Sequence, residues 1–441
     1  MSYKIPCSNG IIMEYQMDKR IKDLLDFLAG GNSRFPASRE ISRRLDAAGF
    51  EELQEADSFK LKKGGRYYIR RMDTAIIAFI VGSKKLAESG FYLASSHIDS
   101  PALKLKPASQ KLDHELCRIG VEVYGGPIVR TWIDRELGIS GRVIIRNKKA
   151  YESHVIDLKQ PVAIIPNAAI HMNRELNSGF EYNKQTHLQA ILSVEKHEGD
   201  PLKSLVAKHL KVKEADVQEM DLYLYDYQKP SLIGMEGEMI VSGRLDNLAM
   251  THAILQGLID SGKPAHTSVG VFYDHEEIGS RSPQGAFSSL LGEVLERIAL
   301  CRGDSREDFY RALRNSFMIS ADMAHAYHPA YAEKYDADYS PKMNRGPVIK
   351  RNANLSYAST ADSSLRFIDL CGKAKVKHQE FLVRSDMPCG STVGPIVAAN
   401  LGLNSVDIGN PMWAMHSVRE TAGVKDHLDL IAVLKTYFSA N

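Results

Sequence analysis

The pattern of apolar and polar positions divides the chain into three stretches. In residues 17–30, Ile21, Leu24, Leu25 and Leu28 recur at helical spacing, and Gly30-Gly31 end the run. Residues 38–48 predict a second helix, with Ser38 as its cap and Gly49 as its stop. Residues 75–81 are then almost unbroken apolar, short and bounded by turn residues, as a strand buried on both faces would be. Residues 91–95 read the same way. Beyond about Pro101 the character changes to short β-rich runs at 120–124, 129–132, 141–145 and 162–165, punctuated by Gly125-Gly126, Gly138 and Gly141. One helical stretch, 202–210, interrupts them. After about Met235 helices and strands alternate. Helices are expected at 248–259, 287–300, 364–371, 393–401 and 426–438, and strands at 267–273, 317–320, 381–384 and 405–408.

Such alternation predicts an α/β fold, with a mixed central sheet sandwiched between helices. The simplest organisation is one discontinuous domain, 1–101 and 236–441, interrupted by a β-rich domain, 102–235. At 441 residues the chain is long enough for both.

Composition narrows the function classes. Apolar residues make up 44%, which excludes a disordered chain. Lys and Arg total 56 against 54 Asp and Glu, so the formal charge of +2 makes no electrostatic case for nucleic acid or an acidic membrane surface. No apolar run reaches the roughly 18 residues of a membrane span. The opening Met1-Ser2-Tyr3-Lys4 does not read as a secretory leader. Five cysteines, Cys7, Cys117, Cys301, Cys371 and Cys389, are scattered without a C-x-x-C pair, so neither a thiolate zinc knot nor a disulfide framework is expected. A reducing cytoplasm is the expected compartment.

Ligand-type residues concentrate in five short segments: Ser96-His97-Ile98-Asp99, Gly243 to Asn247 (GRLDN), Asp274-His275-Glu276-Glu277, Ser320-Ala321-Asp322-Met323 and Met415-His416-Ser417. Nearly all follow an expected strand, and in open α/β sheets the carboxyl ends of strands converge on a crevice. His97, Asp246, Glu277, Asp322 and His416 are separated in turn by 149, 31, 45 and 94 residues, too far for a local finger but suited to a site gathered by a fold. Two imidazoles and three carboxylates could hold a pair of zinc-like ions, one carboxylate spanning both. Asp99 is placed to support the other nitrogen of His97. Plainer readings stand beside these. His97 and His416 could be packed histidines, Asp246 a helix cap, and Glu276-Glu277 a solvated pair.

Taken together the segments resemble the M18 family of metallo-aminopeptidases, the aspartyl aminopeptidase group. The likeness rests on SSHIDSPALKLKP from Ser95, YGG and TWIDREL from Tyr124, IPNAAIHMNR from Ile165 and GRLDN from Gly243. It continues through DHEEIGSRSPQGA from Asp274, ISADMAHAYHPAY from Ile319, GPVIK from Gly346, DMPCGSTVGP from Asp386 and MHSVRE from Met415. The resemblance implies a dinuclear aminopeptidase acting on peptides with a free N-terminus, preferring Asp or Glu. A preference for neutral N-terminal residues is the alternative. It implies two divalent ions per subunit, Zn2+ first and Mn2+ or Co2+ next. His97, Asp246, Glu277, Asp322 and His416 would be ligands, Asp246 the bridge, Glu276 the general base and Asp99 the acid supporting His97. His325, Lys350 and Tyr357 would line the substrate pocket, and His171 would reach the site of a neighbouring subunit. A tetrahedral dodecamer built from dimers is the implied assembly, with the inserted domain as its contact surface.

Chemistry adds one constraint. Adjacent glutamates on a strand point to opposite sides. Glu276 and Glu277 can both face one site only if the strand has ended, which Gly279 supports. Lys350 supplies the point charge that an acidic side chain would need, against the plainer reading of an exposed lysine.

Overall fold

The computed structural model describes residues 2–6, 12–109, 111–148, 150–197 and 199–440; Met1 and Cys7 of the readings above lie outside them. Its centre is a nine-stranded mixed sheet. From edge to edge the order is Gln379–Leu382, Val348–Arg351, Asn404–Gly409, Phe317–Ala321, Phe91–His97, Thr267–Tyr273, Ala75–Ile80, Arg66–Arg71 and Glu51–Glu52. The four strands from Asn404–Gly409 to Thr267–Tyr273 run parallel, so their carboxyl ends share one edge.

The apolar run at 75–81 shows why the sheet is sandwiched. Ile76, Ala78 and Ile80 enter one hydrophobic cluster, while Ile77, Phe79 and Val81 enter another on the opposite face. Each fully buried Ile or Phe contributes about 1.5–3 kcal/mol. Helices Lys19–Gly30, Arg34–Ala47, Leu245–Ile259, Ala361–Ala374 and Val424–Phe438 cover the first face. Helices Leu290–Cys301, Arg306–Asn315 and Val393–Leu401 cover the second.

A separate seven-stranded sheet is built from residues 102–226, in the order Ala150–Asp157, Leu137–Asn147, Val217–Asp226, Ala102–Leu105, Leu116–Tyr124 and Gln189–Ser193, with Lys111–Asp113 beside Leu116–Tyr124. It has its own hydrophobic cluster, including Trp132, Ile139, Leu188, Val206 and Leu224. A smaller five-stranded sheet, Ser231–Ile233, Met239–Ser242, Glu420–Gly423, Pro411–Trp413 and Ala324–His325, was not expected from the sequence.

Three local expectations need correction. The second helix begins at Arg34 with Ser33 at the cap, and Ser38 is buried inside it. Pro36 is tolerated because it falls in the first turn, where amides lack helical partners. Residues 129–132 form a 3-10 turn rather than a strand, with Trp132 turned into the β-rich core. Residues 162–165 make isolated bridges only: Ala163 pairs with Leu137, then Ile164 switches to Ile191, so no ladder extends.

Candidate active site

The shared edge of the parallel strands brings the ligand-type residues together. His97 is the last residue of its strand and stands in register with Tyr273, the last of the next. Asp322 follows Phe317–Ala321. Its carbonyl lies so near Gly409 that a Cβ there would meet it at 1.8 Å, which demands glycine. Asp246 lies in the first turn of the helix Leu245–Ile259, and His416 in the loop between Pro411–Trp413 and Glu420–Gly423. After Tyr273 the chain leaves the strand. His275 takes a left-handed φ of +64°, Glu276–Ile278 form a 3-10 turn, and Gly279 stops it at φ +94°. That turn is what lets neighbouring glutamates face one centre.

Asp246 is the hub. Its Oδ1 lies 3.5 Å from His97 Nε2 and its Oδ2 3.4 Å from His416 Nε2. His416 Nε2 is also 3.4 Å from Glu277, and His97 Nε2 is 3.9 Å from both Asp322 and Glu276. The Nδ1 atoms are engaged elsewhere. His97 Nδ1 is 3.0 Å from the Asp99 carbonyl and 3.4 Å from its carboxylate, and His416 Nδ1 is 3.0 Å from the Gly126 carbonyl. A ring that donates from Nδ1 presents the Nε2 lone pair to the centre. Asp99 accepts from the Glu276 and Glu277 amides, 3.1 Å each, and from the Tyr124 hydroxyl at 2.7 Å.

The electrostatics fit cations. Burial, with Asp322, Asp99 and Asp246 nearby, pushes Glu276 up to about 8 despite His97. Burial and Asp246 hold Glu277 well above the usual range, and burial, offset in part by Lys350, moves Asp322 up to about 6. Burial would raise Asp246 too, but the His416 and His97 imidazoles beside it hold it well below the usual range. Burial would lower His97, yet Asp246 and Asp99 raise it well above. Asp246 Oδ1 and Glu277 Oε1 are buried without a hydrogen-bond partner. Ligand atoms of His97, Asp246 and Glu277 lie within 4.8 Å of one another. Crowded buried carboxylates with unmatched oxygens are costly without cations, and this mix of imidazole and carboxylate suits zinc-like ions.

The remaining expected residues differ in placement. Lys350 is buried, its Nζ donating to the Met323 carbonyl at 3.2 Å and lying 5.0 Å from the centre of the Tyr357 ring. Tyr357 is likewise buried, while His325 is exposed with its ring against Phe381. His171 is exposed on the segment between Ala150–Asp157 and Gln189–Ser193 and takes no part in these contacts. The sequence reading passed over Glu420 and Tyr124. Glu420 is 1% exposed and accepts from the amides of Asp246 and His416. The residue types around Glu420 carry no signal for this role, because its partners are backbone amides.

Comparison with known proteins places the chain in a family. Residues 27–438 match the family described as aminopeptidase I zinc metalloprotease (M18). The chain is 44% identical over 432 residues to a probable M18 family aminopeptidase 2 of Clostridium novyi, covering 96% of this chain and 100% of the relative. A namesake from Stutzerimonas stutzeri is 44% identical over 428 residues, 96% of this chain and 99% of the relative. Among solved structures, the cryo-EM structure of the Ape4 and Nbr1 complex superposes with a TM-score of 0.92 at 35% identity, covering 95% of this chain and 85% of that chain. The S. cerevesiae mApe1 dodecamer gives 0.84 at 27% identity, covering 95% and 96%. Matched over nearly its whole length, the chain belongs to the M18 family of metallo-aminopeptidases.

Proposed function

We propose that this chain is a dinuclear metal-dependent aminopeptidase that removes N-terminal residues from peptides, Asp and Glu before others. The observation that carries the dinuclear reading is the Asp246 carboxylate, each oxygen of which faces a different imidazole. His97 and Asp322 would hold one ion, His416 and Glu277 the other, and Asp246 both. Zn2+ is the first choice and Mn2+ or Co2+ the alternatives. When bound, the ions supply Lewis acidity for the peptide carbonyl and for water. Glu276, held by its amide on Asp99, takes the proton of the attacking water and returns it to the leaving amine. Asp99 and Tyr124 fix the turn that carries it.

Lys350 supports the acidic preference. Among the described residues its buried ammonium makes no ion pair, and an incoming carboxylate would supply one. The rival, a pocket for neutral residues, draws on the carbonyl and ring contacts Lys350 already has. Residues 1–101 and 236–441 form the catalytic domain in this reading, and 102–235 an inserted assembly domain with its own sheet and core. A cytoplasmic tetrahedral homododecamer is the proposed state, in keeping with the dodecameric relative and with unpaired Cys117, Cys301, Cys371 and Cys389. Among the described residues no helix is long and apolar enough to cross a membrane.

The test is hydrolysis of Asp-Ala, Glu-Ala, Ala-Ala and Leu-Ala with and without chelator. Turnover should vanish with chelator, return with Zn2+, Mn2+ or Co2+, and favour the acidic pair. Chelator-resistant turnover would refute the metal-dependent reading.

A further inference from the structure

Glu420 lies where two distant ligand loops meet. It opens the strand Glu420–Gly423, whose register sets it opposite Ser242, four residues before Asp246. Its Oε2 accepts from the Asp246 amide at 3.1 Å, and its Oε1 accepts from the His416 amide at 2.7 Å. Each carboxylate oxygen therefore holds one loop, across 174 residues of sequence on one side and 4 on the other. The side chain is 1% exposed, and among the described residues it forms no ion pair.

Both loops need holding. Arg244, just before Asp246, has a φ of +61°, and Ala414 and His416 have φ of +54° and +69°. Non-glycine residues keep left-handed backbone only where the surroundings enforce it. The loops also approach closely, since a Cβ on Gly243 would meet the Val418 carbonyl at 2.7 Å. From those backbones the Asp246 Oδ2 and His416 Nε2 atoms come to 3.4 Å of each other.

We infer that Glu420 is a positioning residue for the ion held by His416, Glu277 and Asp246, setting the separation of His416 from Asp246 through their backbones. The inference rests on the dinuclear reading above. It assigns no contact between Glu420 and metal or substrate. Replacement by Gln leaves one acceptor oxygen and turns an NH2 group toward a backbone amide, so one of the two loops is released. Supporting groups of this kind typically change metal affinity by about 10–100-fold.

The experiment is calorimetric titration of Zn2+ into metal-stripped, fully assembled protein, for wild type, Glu420→Gln, Glu420→Ala and His416→Ala. Assembly is checked by light scattering. Wild type should bind two ions per subunit. Glu420→Gln should keep one at wild-type affinity and bind the other about 10–100-fold more weakly, the same event that His416→Ala loses. The thermal stabilisation gained on adding Zn2+ should shrink in step, whereas a purely structural role would lower the melting temperature equally with and without metal. If Glu420→Gln binds both ions as wild type does, or weakens both alike, the inference is overturned. If it does not assemble, Glu420→Ala decides by the same criterion, and failure of both to assemble assigns Glu420 to folding and overturns it as well. Wild type binding fewer than two ions would instead overturn the dinuclear reading.

Discussion

At the scale of single residues, the site is a problem of charge. Glu276, Glu277, Asp322, Asp246 and Asp99 are crowded at a buried edge where like charges repel and water is scarce. Of the two glutamates, Glu277 faces His416, while Glu276 faces His97 and its neighbouring carboxylates. In the proposed mechanism that difference would make Glu277 the ligand and Glu276 the base. Glu276→Gln is therefore expected to bind metal as wild type does while kcat falls by about 10²–10⁴, with little change in KM. Steady-state kinetics beside metal analysis checks this, and unchanged kcat would remove Glu276 from the chemistry. Lys350→Ala should lower kcat/KM for Asp-Ala by about 2 kcal/mol or more, roughly 30-fold, and for Leu-Ala far less. Equal losses on both substrates would place the acidic preference elsewhere.

At the scale of elements, the helices that carry and follow the ligand loops share a buried polar contact. His252, on Leu245–Ile259, places Nδ1 2.9 Å from Nε2 of His427, on Val424–Phe438, and its own Nε2 2.9 Å from Asp23. Burial lowers His252, and burial with His252 beside it holds His427 well below the usual imidazole value. A base with a depressed folded pKa takes up protons on unfolding. Its contribution is complete above the unfolded value, near 6.5, and is lost as pH falls below it. Wild type should thus lose more unfolding free energy than His427→Gln between pH 7.5 and 5.5, by about 1 kcal/mol. Urea unfolding of both at the two pH values measures the difference. Equal losses would show that His427 is not the titrating group.

At the scale of the whole molecule, two sheets with separate cores meet at the site. Gly126, beside the strand Leu116–Tyr124, supplies the carbonyl that orients His416, and Tyr124 supplies the hydroxyl on Asp99. The geometry of the candidate site is thus shared between the central sheet and the β-rich part. His171 is exposed, and in the proposed assembly it would serve a neighbouring subunit. Light scattering should find a large homo-oligomer for wild type and for His171→Ala alike. The variant should lose about 10² in kcat, the cost of one oxyanion donor. An active monomer, or His171→Ala with full activity, would refute this shared-site arrangement.

The sequence by itself determined the alternating elements and the composition of the site. Residues 267–273 and 393–401 were legible end to end, because burial on one or both faces imposes a period that the side chains must obey. His97, Asp246, Glu276, Glu277, Asp322 and His416 were legible as ligand-type residues in short segments, nearly all of which follow an expected strand, helped by the ordered motifs of the family. Tertiary structure alone decided what depends on backbone rather than side-chain pattern. The five-stranded sheet, the 3-10 turn at Val129–Trp132 and the bridges at 163 and 164 arise from hydrogen bonds between segments far apart in the chain. Glu420 belongs to the same class. Its partners are two amides, which every residue but proline carries, so nothing in the residue types around it marks the contact. Side-chain periodicity is written locally; the meeting of distant backbones is written only in the fold.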